Sequence, residues 1–186
     1  MKPRPRIIGR ATSLAHAFVH AIIPRQVNPD KQRSLYEAAG LSAGDCAYCG
    51  NLATDGDHFR GLVKGARPSG HFHTEENIVP SCGTCNQSKG SQHWRSWMLG
   101  DARGSPTTRN VQGIAARVER LAAFEALSKA VAVSPADLRE MAGAELWDDY
   151  WNRLDRIKID LKAADEASAV IRDRLDEALR TLSISN

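Results

Sequence analysis

The chain has 186 residues, 42% of them hydrophobic, and carries 25 Lys and Arg against 22 Asp and Glu. This size and composition are typical of one compact globular domain with additions. No run reaches the ~18 apolar residues that a membrane helix needs, so we expect no membrane partner. The net charge of +3 is unevenly distributed, because residues 1–133 hold 17 Lys and Arg against 10 Asp and Glu, whereas residues 134–186 hold 8 against 12.

Residues 1–42 predict a basic arm that contains one helix. Asn28-Pro29-Asp30 is typical of a helix start, and the helix is expected over Lys31 to Ala39. A basic arm attracts phosphates without regard to sequence, although a merely solvated tail is the alternative. Over residues 1–33 the only acidic residue is Asp30, and the basic residues are Lys2, Arg4, Arg6, Arg10, Arg25, Lys31 and Arg33.

The same segment superficially resembles a signal peptide, because basic residues precede an apolar run. His16 and His20 interrupt that run, and Pro24-Arg25 stands where a small-residue cleavage site would be expected. We therefore predict a cytoplasmic protein, in agreement with cysteines that are spaced for zinc in a reducing compartment.

Residues 43–104 contain all four cysteines, in the pairs Cys46/Cys49 and Cys82/Cys85. Two Cys-x-x-Cys pairs are the ligand pattern of a tetrahedral structural zinc. The alternative is a zinc ribbon that only binds nucleic acid or protein.

Between these pairs, a strand is expected from Leu52 to Asp55 that ends at Asp57-His58, with Ile78-Val79 returning beside it as a hairpin. Residues 59–76 form the intervening loop, and a helix is expected after Cys82. Successive residues of a strand face opposite sides, so Asp57 and His58 diverge. One of them can then bind a cation while the other activates water, which phosphodiester hydrolysis requires.

Residues 105–186 predict a helical region. Val111 to Val131 is expected as one helix, and Ser134-Pro135 as the start of a short helix towards Gly143. A stripe of apolar and small residues then runs from Trp147 to Leu182 at alternating steps of three and four over about five heptads. It predicts either a contact between two copies of the chain or a helix that packs on Val111 to Val131 within one copy.

The polar residues of the cysteine module resemble those of the His-Asn-His (HNH) nucleases, also called ββα-metal or His-Me finger nucleases. The resemblance covers residues 46–90, about a quarter of the chain, and is carried by Asp57-His58, Asn77 and the run Cys82 to Gly90, which reads Cys-x-x-Cys-Asn-x-x-Lys-Gly. The asparagine directly after the last cysteine is similar to the variant in zinc-bearing HNH restriction enzymes and in the phage endonuclease that resolves Holliday junctions. The resemblance implies an α+β fold in which a zinc-stabilised ββα-metal module lies between the basic arm and the helical region.

The resemblance also implies roles for individual residues. His58 would be the general base, and Asn77 would brace the loop and orient that histidine. Asp57 and Asn86 would bind one catalytic Mg²⁺ or Mn²⁺, while the four cysteines bind Zn²⁺. Gly61 occupies the position where the family usually has proline, and Asn86 occupies the position of the second histidine in the His-Asn-His pattern.

These assignments predict a metal-dependent endonuclease that leaves 5′-phosphate and 3′-hydroxyl ends on double-stranded DNA. We expect a homodimeric Type II restriction enzyme. The alternatives are a phage or mobile-element nicking enzyme or junction resolvase, and a noncatalytic zinc DNA-binding module. Trp94 and Trp97 are expected to anchor the module to the helical part. The candidate DNA contacts are Arg60, Lys64, Arg67, Lys89 and Arg95.

Overall fold

The computed structural model describes residues 5–184, with side chains over residues 5–182. Within these residues the fold is α+β, with long helices and three small two-stranded sheets. This confirms the α+β class predicted from the sequence. Lys2 and Arg4 of the predicted basic arm lie outside the described residues. No helix in the described part of the chain is both long and apolar enough to cross a membrane.

The described part of the chain contains seven α-helices and six short strands, together with 3-10 turns at Ile7–Arg10 and Glu75–Asn77. The helices are α1 (Ala11–Ile22), α2 (Pro29–Ala39), α3 (Gly83–Lys89), α4 (Trp94–Leu99), α5 (Ile114–Leu127), α6 (Pro135–Ala142) and α7 (Ala144–Ile184). The strands are β1 (Arg25–Gln26), β2 (Asp55–His58), β3 (Val63–Lys64), β4 (Arg67–Pro68), β5 (His73–Thr74) and β6 (Ile78–Ser81).

The strands pair two by two. β2 pairs antiparallel with β6, which places Asp57 opposite Val79 and His58 opposite Ile78. This confirms the predicted hairpin, although its first strand begins at Asp55, and Leu52 forms only an isolated bridge with Asp45. β3 pairs antiparallel with β4, and β1 pairs in parallel with β5.

Helix capping explains where two of the predicted helices begin. The Asn28 side chain accepts hydrogen bonds from the backbone N–H groups of Asp30 and Lys31, and Pro29 occupies the first turn. Gly40 then ends α2 with a left-handed φ of 68°. The Ser134 hydroxyl likewise accepts a hydrogen bond from Asp137 N at 3.1 Å, as predicted for the start of α6.

The chain divides into two compact units, one of residues Val19–Leu138 and one of Met1–Phe18 with Arg139–Asn186. This division differs from the three segments 1–42, 43–104 and 105–186 expected from the sequence. Both expected boundaries lie inside the Val19–Leu138 unit, because α2 and α5 contribute side chains to the same core as the cysteine module.

The core of the Val19–Leu138 unit is aromatic. Phe59 stacks on Trp94, with ring centroids 5.4 Å apart, and meets Phe124 of α5 edge to face at 5.3 Å. Trp94 and Trp97 are each only 1% exposed. Trp94 donates a hydrogen bond to Glu125 of α5 at 3.2 Å, which confirms the predicted anchor for this tryptophan, whereas Trp97 contacts Tyr48 and Ser88 of the module. Helix α5 is shorter than expected, since it begins after Gly113 and ends before Ser128.

The second unit is built on the 41-residue helix α7. The Asp165 carboxylate accepts hydrogen bonds from the backbone N–H groups of Ile7 and Ile8, and the Tyr150 hydroxyl donates to Phe18 O at 2.9 Å. The predicted stripe is covered at its start, where Leu154 is 0% exposed, but Leu175 further along is 58% exposed.

Candidate functional site

The four cysteines form a buried cluster in which the sulfur atoms all lie within 4.8 Å of one another. Zinc–sulfur bonds of ~2.3 Å in a tetrahedron place sulfur atoms about 3.8 Å apart. The Sγ atoms of Cys49 and Cys82 are 3.7 Å apart, so the cluster fits a metal ion such as zinc. The prediction of a four-cysteine metal site is confirmed to this extent.

Local backbone structure brings the two cysteine pairs together. The first pair lies on a tight turn, in which Cys46 O accepts a hydrogen bond from Gly50 N at 2.8 Å. Gly50 has a φ of 80°, and the Arg117 guanidinium fills the space that a side chain at position 50 would need. Cys82 is the N-cap residue of α3, and Cys85 lies in the first turn of that helix.

Burial and a nearby cation have opposite effects on the thiolates that metal binding requires. A hydrogen bond from the Cys85 thiol lowers the pKa of Cys46 to about 4, while the same contact and burial raise the pKa of Cys85. Arg109 donates a hydrogen bond to Cys85 Sγ at 3.0 Å, which places a cation against sulfur atoms that become thiolates when they bind a metal.

Asp57 and His58 leave β2 on opposite sides. The Asp57 side chain points into the core and is 3% exposed. Its Oδ2 atom accepts hydrogen bonds from the Tyr48 hydroxyl at 2.5 Å and from Lys89 Nζ at 2.9 Å. Burial raises the pKa of Asp57, whereas the Lys89 ammonium and the Tyr48 hydroxyl oppose that rise. The close cation favours an ionised carboxylate.

Lys89 has an environment that differs from the expected one. It is 0% exposed, and its ammonium donates to His58 O at 2.8 Å and Gly90 O at 3.3 Å in addition to Asp57. A fully buried ammonium has no surface with which to contact a DNA phosphate. We therefore correct the assignment of Lys89 as a DNA contact: it is the ionic partner of Asp57.

His58 lies among other histidines on the far side of β2. Its Nε2 atom is 2.9 Å from Nδ1 of His73, and the ring of His20 lies 5.9 Å away between centroids. Burial, followed by positive charge at His73 and His20, lowers the pKa of His58 to about 4. His58 is therefore in its neutral form at pH 7.

Asn77 joins the two ends of the segment between β2 and β6. Its side chain accepts a hydrogen bond from Arg60 N at 2.8 Å and donates to Arg60 O and Phe72 O at 2.9 and 3.0 Å. Asn77 O also accepts a hydrogen bond from Phe59 N, next to His58. The contact to the His58 ring comes from His73 instead.

Asn86 is half-buried in α3, directly after Cys85. It precedes Lys89 by three residues, so the two share a face of the helix. Since Lys89 contacts Asp57, this face is the one directed towards β2. Carboxylate and amide oxygens are ligand types that Mg²⁺ and Mn²⁺ take in proteins.

The other predicted DNA contacts differ in solvent exposure and in the protein groups that they contact. Arg60 donates to the Ser128 hydroxyl at 3.0 Å and lies 5.5 Å from the Phe59 ring centroid. Arg67 donates to Ala66 O at 3.1 Å, whereas Lys64 is exposed. Arg95 is exposed, with its guanidinium 6.0 Å from the Trp94 ring centroid.

Sequence reasoning missed Tyr48 and His20 and gave Arg25 only as part of the basic arm. Tyr48 had a visible signal, because an aromatic residue between two zinc cysteines is held close to the metal. The positions of His20 near His58 and of Arg25 opposite His73 depend on tertiary contacts, which no local pattern encodes. Comparison with protein-family models, curated proteins and solved structures found no match to this chain.

Proposed function

We propose that the protein is a metal-dependent DNA endonuclease of the HNH type with a structural zinc. The observation that carries this proposal is the arrangement around β2, where a neutral histidine leaves one face and a buried carboxylate leaves the other. β2 pairs with β6, and α3 follows directly, which is the order of elements in a ββα-metal module.

In this proposal His58 removes a proton from the attacking water. With Nε2 against His73 Nδ1, the Nδ1 atom of His58 is the one that accepts this proton. The water oxygen bonds to phosphorus, the bond to the 3′ oxygen breaks, and that oxygen takes a proton from solvent water, which leaves 5′-phosphate and 3′-hydroxyl ends. Asp57 and Asn86 would hold Mg²⁺ or Mn²⁺, which when bound stabilises charge on the phosphate and the leaving oxygen.

Asp57 retains an oxygen for this task. Both of its hydrogen bonds reach Oδ2, so Oδ1 is the atom that would bind a cation. Lys89 holds the carboxylate from one side and thereby fixes its orientation. A second, noncatalytic function as a zinc DNA-binding module is favoured by the same contact, because the ammonium already neutralises Asp57.

The basic excess of residues 1–133 supports DNA as the substrate. We favour a Type II restriction enzyme, since one site cuts one strand and a two-fold dimer matches a palindromic duplex. The exposed part of the α7 stripe supports a homodimer. A nicking enzyme or a junction resolvase would use the same chemistry without the same pairing.

The proposal is tested by incubating the protein with Mg²⁺ and either phage DNA, plasmid DNA or a four-way junction. Discrete duplex fragments indicate restriction, relaxed circles indicate nicking, and cutting only of the junction indicates a resolvase. His58→Ala should lower cleavage ~10²- to 10⁴-fold while DNA binding and zinc content persist. The control is His93→Ala, since His93 is exposed. DNA binding without cleavage in any metal would establish the noncatalytic module.

A further inference from the structure

We infer that Tyr48 is a positioning residue through which the zinc cluster orients Asp57 for the catalytic cation. This inference rests on the proposed function, because it concerns the same cation site. It adds a physical connection between the two metals, which otherwise have separate tasks.

Tyr48 is held from both sides by the zinc cluster. It lies between Cys46 and Cys49 and is 0% exposed. Its ring packs edge to face on Trp97, with centroids 5.2 Å apart. Ala47 N donates to Pro80 O at 2.8 Å, which ties the same turn to β6. The position of the Tyr48 hydroxyl is therefore set by zinc coordination together with core packing.

The hydroxyl acts on one atom of Asp57. It donates to Oδ2 at 2.5 Å, and Lys89 Nζ donates to that same oxygen at 2.9 Å. Two donors on Oδ2 fix the rotation of the carboxylate and direct Oδ1 away from them. A metal ligand whose hydrogen-bond partner is lost commonly loses about 10- to 100-fold in metal affinity.

The second proposed cation ligand is tied to the same cluster from the other side. Asn86 follows Cys85 directly in α3, so zinc also fixes the start of the turn that carries Asn86. The Tyr48 hydroxyl thus links Asp57 to the cysteine cluster, as the peptide bond to Cys85 links Asn86 to it. One zinc ion would set the separation between the two ligands of a different ion.

A buried tyrosine in the same core provides the matched control. The Tyr36 hydroxyl donates to the backbone oxygen of Ile78 at 3.2 Å, and this side chain is 7% exposed. Tyr36→Phe and Tyr48→Phe each remove one buried hydroxyl from the Val19–Leu138 unit. Only the second variant removes a contact to Asp57.

The test measures binding of Mn²⁺ alone to the zinc-loaded full-length protein by electron paramagnetic resonance. Tyr48→Phe should retain zinc and bind Mn²⁺ about 10-fold or more weakly, whereas Tyr36→Phe should bind it as the wild type does. Mn²⁺ affinity in Tyr48→Phe equal to that of the wild type would overturn the inference. Asp57→Asn separates the two failures: if it binds Mn²⁺ as well as the wild type does, the cation site itself, and with it the proposed function, is wrong.

A second measurement needs no change at Tyr48. The chain has three tyrosines, and each can be labelled with ¹³C at the ζ carbon. Addition of Mg²⁺ should shift the Tyr48 signal and leave those of Tyr36 and Tyr150 in place, with assignment through Tyr36→Phe and Tyr150→Phe. A Tyr48 signal that stays fixed at Mg²⁺ concentrations that saturate the site would overturn the inference even if Tyr48→Phe does not fold.

Discussion

The imidazole of His73 contacts that of His58 through the pair Nδ1 and Nε2, 2.9 Å apart. At this distance one nitrogen carries the proton and the other accepts it. When Nε2–H of His58 is the donor, Nδ1 of His58 has its lone pair available for a water proton. The residue that selects the tautomer of the proposed base thus lies in β5, fifteen residues further along the chain.

This contact predicts that His73→Ala lowers kcat for DNA cleavage about 10-fold or more, while KM changes little. His73→Asn should recover much of the activity, because its amide oxygen can accept a hydrogen bond near the position of Nδ1. Single-turnover cleavage at saturating DNA makes the measurement. Equal losses in the alanine and asparagine variants would instead indicate a packing role for His73.

Lys89→Met should strongly destabilise the protein. The substitution leaves the buried Asp57 carboxylate without its cation, and removal of one partner of a buried pair costs about 3–5 kcal/mol. Urea unfolding of the zinc-loaded protein gives the free energy of unfolding. Addition of Asp57→Asn to Lys89→Met should recover part of the loss, and a double variant no more stable than Lys89→Met would contradict the pairing.

The stability of the fold should depend on pH through His58. Its pKa is about 4 in the folded protein, against 6.5 for the ordinary side chain, so the unfolded state binds more protons between these values. The neutral histidine's contribution to the free energy of unfolding is complete above about pH 6.5 and is lost as the pH falls towards 4. The free energy of unfolding, measured in urea at saturating zinc, should therefore fall less steeply with decreasing pH in His58→Ala than in the wild type. Parallel slopes would mean that His58 titrates normally.

Zinc removal should affect the whole Val19–Leu138 unit. Purified protein should contain about one zinc per chain, and Cys85→Ser should lose both the zinc and the aromatic near-ultraviolet dichroism of the core. A mild chelator should abolish cleavage without that change, because it removes only the weakly held cation. Disulfides in place of zinc after purification under reducing conditions would refute the metal site.

The exposed stripe of α7 predicts assembly. Ile171 and Leu175 are each 58% exposed, and Ile171→Glu with Leu175→Glu should convert a dimer into a monomer that nicks but does not cut both strands. Sedimentation velocity at micromolar concentration makes the measurement, with Asp173→Lys, an exposed position on the opposite side of the helix from the stripe, as the control. A wild-type protein that sediments as a monomer with and without DNA would contradict this.

The sequence predicted the parts of the fold that depend on local signals. Asn28 and Ser134 mark helix starts through their own side chains, and the cysteine spacing marks the metal cluster. The partners of Asp57 and His58 depended on tertiary contacts instead. Lys89 shows the difference: its position after Cys85 was readable, but its complete burial results from packing that no local pattern encodes.

The hydrogen bonds of Asn77 have a consequence for how this protein can diversify. They hold the two ends of the segment between β2 and β6 together, at Arg60 on one side and Phe72 on the other. The exposed turn between β3 and β4, at Lys64 and Gly65, can therefore change in length and composition without disturbing the pairing that carries Asp57 and His58, whereas Leu62 and Val63 beside it are buried. If the proposed nuclease activity holds, variation at this turn would change the surface offered to DNA while the residues proposed for the chemistry stay in place.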